Sequence, residues 1–294
     1  MLLIILEKVL KMKNNSFLCK ISEYKMVTRF FDCANYIYLD QIKSFDFRKI
    51  SKYINAKYIS NKIHRDFSLV TKLLDEGDIL NASILLRSTY ENIAYIIATS
   101  FDKSLKVKVG TNPSEFRQIL EKNCNELFSE NIEPDLFNYI YKYLCKLTHP
   151  CSIKEMTSYI EAGSIYKRYV INSIKYIMII VEYVYLDYIY KKNNLDMNLN
   201  DSLFETSDLV NIYSGIRFIK HSKTGSKKYN RFFVNDSNSS YIADNKNNLQ
   251  DVGKWVKDNQ KDFENRRDEI LVRVSSELEK SKYKQIVNDI LYEK

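Results

Sequence analysis

Only 6 glycines and 3 prolines interrupt this chain of 294 residues. Breakers that sparse cannot supply the many tight turns an all-β protein needs, so the long uninterrupted stretches favour helices. Hydrophobic residues make up 45% of the sequence and charged residues 28%, the balance of an ordinary soluble globular protein rather than of a disordered chain or a disulfide scaffold. The reading is a mainly α protein. A helical bundle is expected over residues 1–192, a linker over 193–206, and a smaller segment over 207–294 that holds a basic helix, a β-hairpin and C-terminal helices.

The breakers and capping residues place the helices. The stretch to about Lys43 is helical by periodicity, and a second helix from Arg48 to Glu76 should stop at Gly77, which tolerates a left-handed cap. Asp78 can then cap DILNASILLRSTYENIAYIIATSF, a helix apolar on nearly every side that belongs at the centre of the bundle. Asn112-Pro113-Ser114-Glu115 joins an N-cap to a proline at the first helical position and a glutamate three residues after the cap. Pro134 opens LFNYIYKYLCKLT, which must stop near His149 because Pro150 cannot continue it.

From Gly163 to about Lys192 runs the most apolar helix of the chain. Lys175, Glu182 and Asp187 interrupt it, and each is expensive at a bilayer centre, so a buried core helix is expected rather than a membrane span. The polar run KKNNLDMNLND reads as the linker, with Ser207 or Asp208 capping the next helix. KKYNRFFV and SSYIA flank Asn235-Asp236-Ser237-Asn238 as a hairpin would, and Leu249 to Tyr292 has the pattern of a helical pair.

Five cysteines (Cys19, Cys33, Cys124, Cys145, Cys151), odd in number and without a Cys-x-x-Cys pair, read as reduced thiols of a cytoplasmic protein. The opening apolar run is too short for a secretory leader, and no export is expected. The formal charge is +8, and six of the basic residues lie between Leu209 and Asn235, where there is no acid. Arg217, Lys220, Lys223, Lys227, Lys228 and Arg231, together with His221, alternate there with Tyr213, Phe218, Tyr229, Phe232 and Phe233. Cations interleaved with aromatic rings suit phosphate contacts and base stacking. A solvated helix end and a hairpin packed on the bundle would leave the same pattern.

Three groupings could carry chemistry. Arg87 and Glu91 are four residues apart on the central helix, and Ala94 and Ala98 continue their face, leaving space beside the charges. They are either an intrahelical ion pair near the bundle centre or part of an anion site. His149, at a helix end where terminal carbonyls favour the protonated ring, is either a cap or a proton-transfer group. Cys145, His149 and Cys151 supply three potential ligands but no second pair with structural-zinc spacing, so no metal is expected. No glycine-rich phosphate loop is present in the sequence, and no cofactor is expected.

LLRSTYENIAYI (Leu85 to Ile96) and YKYLCKLTHP (Tyr141 to Pro150) resemble an uncharacterised family of bacterial helical proteins with an Arg-Ser-x-x-Glu helix and a later helix ending in His-Pro. The likeness spans about Asp66 to Asp187 and is similar, more distantly, to the HEPN superfamily of dimerising helical bundles. The resemblance implies a metal-independent endoribonuclease of a toxin–antitoxin or phage-defence system, a homodimer, with a partner protein of that system. The HEPN motif of an arginine, four to six residues and a histidine has no strict match here. Lys142 precedes His149 with six residues between but stands in place of the arginine, and Arg217 precedes His221 with only three between. The expectation is therefore an RNA-cleaving or RNA-binding effector with Arg87, Glu91 and His149 as its catalytic set. Its rival is a non-catalytic interaction or sensor module built on a dimeric bundle.

Overall fold

In a computed structural model, residues 21–46, 54–101, 113–129, 132, 134–148, 164–213, 269 and 272–285 are described. The fold is mainly α, and no strand occurs among the described residues. Eight helices follow in order: α1 (Ile21–Ser44), α2 (Ile54–Glu76), α3 (Ile79–Phe101), α4 (Pro113–Lys122), α5 (Cys124–Leu127), α6 (Asp135–Thr148), α7 (Ser164–Lys192) and α8 (Asn198–Tyr213). Residues 272–280 are also helical. The hairpin expected around Asn235-Asp236 lies outside the described residues.

The chain divides into two compact units, one of Asn35–Met197 and one of Met1–Ala34 with Asn198–Lys294. In the first, α3 is the organising element, packed against α2, α4, α6 and α7. Its apolar residues are buried almost all round, including Leu86, Ile93 and Ile97. Two hydroxyls within that core, Ser83 and Thr89, donate to the carbonyls of Ile79 (2.7 Å) and Leu85 (2.8 Å), so neither is left unsatisfied. Tyr90 reaches across to α6 and donates to the Phe137 carbonyl at 2.8 Å.

Local chemistry sets the helix ends. Gly77 has φ 79° and closes α2 in a Schellman arrangement, its N–H bonded to the Leu74 carbonyl and that of Asp78 to Leu73. The Asp78 carboxylate then accepts from the Asn81 N–H at 3.2 Å and opens α3. Asn194, with φ 51°, closes α7 in the same way through bonds from Asn194 to Lys191 and from Leu195 to Tyr190. The helix expected to open at Ser207 or Asp208 begins already at Asn198. Asn200, Ser202, Thr206 and Ser207 are buried, and Thr206 and Ser207 satisfy their hydroxyls on the Ser202 and Leu203 carbonyls (2.8 and 3.0 Å). In the second unit, Arg273 of the 272–280 helix pairs with Glu205 of α8.

No helix among the described residues is long and apolar enough to cross a membrane. The three charges that interrupt the apolar stretch of α7, Lys175, Glu182 and Asp187, are nevertheless buried. Lys175 extends to Asp75 at 2.9 Å, whose side chain stays 58% exposed, so the ammonium meets its counter-charge at the rim. Asp187 accepts from the Ser129 N–H at 2.7 Å and so holds the turn between α5 and α6. Glu182 is fully enclosed and neither oxygen has a hydrogen-bond partner among the described residues; burial alone pushes its carboxyl well above the usual range, which favours the neutral acid.

Because the folded state keeps the Glu182 proton that the unfolded chain releases, this residue costs stability progressively as pH rises above the ordinary glutamate range. Glu182→Leu should raise the unfolding free energy at neutral pH by about 1–3 kcal/mol. It should also flatten the fall in stability with pH, read from denaturant midpoints at several pH values. An unchanged midpoint and pH profile would show that Glu182 has found a partner.

Candidate functional site

Helix α3 carries only two charged residues, and both are at one site. Arg87 Nε donates to Glu91 Oε1 at 3.1 Å, the four-residue spacing placing both on one face. Arg87 Nη1 donates to the Thr148 hydroxyl at 3.2 Å, which ties the guanidinium to the last residue of α6. Thr148 in turn donates to the Leu144 carbonyl at 3.0 Å, so its hydroxyl is fixed as an acceptor for Arg87.

The pair is not at the closed centre of the bundle. The side chains of Arg87 and Glu91 are 32% and 27% exposed, whereas Ala94 and Ala98 further along the same face are buried. The space expected beside the small residues is therefore filled by packing.

A second ion pair converges on the same place. Arg117 Nε on α4 lies 3.2 Å from Glu121 Oε1, again four residues on. Those two atoms are buried and meet no hydrogen-bond geometry, so the contact is one of charge proximity rather than a directed bond. Between the pairs stands Tyr141 of α6, whose ring centroid is 5.5 Å from the Arg87 guanidinium carbon and 4.8 Å from that of Arg117. Both distances are within cation–π range.

The electrostatics follow from partial burial. Burial disfavours the Arg87 charge, but Cys145 and the Glu91 hydrogen bond outweigh it and push the guanidinium further up, so it stays cationic. Burial and the neighbouring Cys145 push the Tyr141 phenol up as well, leaving it neutral. Glu121 is raised by burial and Asp135 against the opposing pull of Arg117 and Lys142. Chemically the arrangement offers two fixed cations with carboxylate holders, a neutral phenol and a hydroxyl, which suits binding and charge stabilisation of an oxyanion.

Of the catalytic set expected from sequence, Arg87 and Glu91 are thus brought together, and His149 lies outside the described residues. The basic residues Arg217, Lys220, His221, Lys223, Lys227, Lys228 and Arg231 lie outside them too, as does Cys151. Arg117, Glu121, Tyr141 and Thr148 were not anticipated as members of the site. The four-residue spacing of Arg117 and Glu121 was a legible signal, but nothing in the sequence aims α4 at α3. Comparison with family models, with curated proteins and with solved structures found no match.

Half-exposed pairs contribute little to folding, so Arg87→Ala should lower the unfolding free energy by about 1–2 kcal/mol, the sum of a screened ion pair and one cation–π contact. That is well short of the roughly 3–5 kcal/mol expected for breaking a buried pair. Urea unfolding of the variant checks it, and a decrease in the higher range would place the pair inside the core.

Proposed function

We propose that the chain is an RNA-cleaving or RNA-binding effector of a bacterial phage-defence or toxin system, with its working centre at Arg87, Glu91 and His149. One observation carries the reading: Arg87 is bonded to Thr148, and the next residue in the chain is His149. In this reading Arg87 neutralises the phosphate under attack, and Glu91 holds the guanidinium in place. As the RNA 2′-oxygen bonds to phosphorus and the bond to the 5′-oxygen breaks, His149 donates a proton to the departing oxygen and the 2′-hydroxyl proton passes to solvent. The sequence resemblance of the Arg-Ser-x-x-Glu and His-Pro segments to an uncharacterised bacterial family, itself distantly HEPN-like, is in keeping with that chemistry.

A non-catalytic interaction module is the second reading. It is favoured by Leu69 and Ile84, left 44% and 48% exposed on the packed helices α2 and α3.

The two readings separate in three variants. His149→Ala should abolish RNA cleavage or toxicity with the thermal midpoint nearly unchanged. Arg87→Met combined with Glu91→Leu should stay folded, since apolar replacement of both partners spares stability, and should lose activity. Leu69→Ser with Ile84→Ser should leave activity intact. Full activity in a folded Arg87→Met, Glu91→Leu protein would remove the catalytic role and leave the ion pair as architecture.

A further inference from the structure

Two arginines from different helices directed at one tyrosine ring are a costly arrangement unless something uses both. Arg87 and Arg117 come from α3 and α4, and their like charges approach a shared phenol on α6. Each has its own carboxylate four residues on, which offsets the repulsion without exhausting the guanidinium's donors. Among the described residues, Arg87 spends Nε on Glu91 and Nη1 on Thr148, while the buried Nε of Arg117 makes no aligned hydrogen bond. A guanidinium has five N–H donors in a rigid fork. Both forks therefore retain donors, and both side chains remain partly open, Arg87 at 32% and Arg117 at 14%.

We infer that Arg117 and Arg87 form a two-phosphate clamp across Tyr141, which holds consecutive phosphodiesters of a single-stranded RNA. This rests on the proposed function and extends it, since that reading uses the Arg87 cation alone. The ring fixes the relative positions of the two cations: their guanidinium carbons can be no farther apart than the sum of their distances to its centroid. Neighbouring phosphates of one strand suit so short a separation. The recessed position of Arg117 selects a flexible strand, which can bend its backbone into the site, over a duplex, which presents its phosphates on a stiff rod. Glu121 competes with the incoming phosphate for Arg117, and its poorly aligned contact is one that a phosphate oxygen can displace. Tyr141 is then a positioning residue.

Salt dependence of binding counts the neutralised phosphates directly. The probe is a short 2′-O-methyl single-stranded RNA, whose capped 2′-oxygen prevents cleavage, titrated against the full chain at several salt concentrations. On a single strand, each phosphate that the protein no longer neutralises lowers the slope of log K against log salt by about 0.7. Arg117→Gln should lower it by that amount and weaken binding several-fold, and Arg117→Lys should restore the slope. Glu121→Gln should tighten binding several-fold with the slope unchanged, a gain that a purely structural role for this ion pair would not produce. A duplex of the same sequence should show no dependence on Arg117. A wild-type slope in folded Arg117→Gln, with a lowered slope in Arg87→Gln, overturns the clamp and leaves the proposed function standing. Wild-type slopes in both variants overturn both. If Arg117→Gln does not fold, unchanged or weakened binding by Glu121→Gln overturns the clamp, and equal dependence of the duplex on Arg117 overturns its preference for single strands.

Discussion

A helix that is apolar on nearly every side has to be surrounded, and α3 imposes that requirement on everything around it. Helices α2, α4, α6 and α7 all pack on it, and its internal hydroxyls are turned back onto its own carbonyls so that they cost nothing inside the core. The same requirement creates the site. Arg87 and Glu91 are the two α3 residues that cannot be enclosed cheaply, so the packing leaves them a half-open face between α4 and the end of α6. Cover and gap are two consequences of one hydrophobic constraint.

Helix α7 meets a similar problem by three different means. A lysine stem carries its charge out to an exposed aspartate, an aspartate is satisfied by a backbone N–H, and a glutamate gives up its charge altogether. Burial raises both carboxyls, but only the glutamate is left without a hydrogen-bond partner among the described residues. None of the three contributes a group to the polar cluster around Tyr141, which makes that cluster and the buried acid separately testable features.

How much was legible in the sequence depended on whether a signal was local. Gly77, Asp78, Pro113 and Pro134 punctuate the chain, and helices α2, α3, α4 and α6 stop and start beside them. The start of α8 was not legible. Asn198, Asn200, Asp201 and Ser202 read as linker because periodicity treats small polar residues as exposed, yet Asn200 and Ser202 are buried and Thr206 and Ser207 bond within the helix. At the site, Arg87 and Glu91 stood out as the only charges on an apolar helix. Arg117, Tyr141 and Thr148 did not, for each is ordinary in its own helix and matters only because three helices meet there. Packing against α3 brings them together, and packing is the term a single sequence does not display.

The central claim is that Arg87 meets RNA phosphate at this meeting point of α3, α4 and α6. Guanidinium NMR tests it most directly: the 15Nε–1Hε resonance of Arg87, assigned by disappearance of the signal in Arg87→Lys, is followed as a short non-cleavable single-stranded RNA is added to the full chain. The account predicts a saturable shift of that resonance with the same dissociation constant as overall binding. RNA that binds to saturation while the Arg87 resonance stays where it is in the free protein would contradict it.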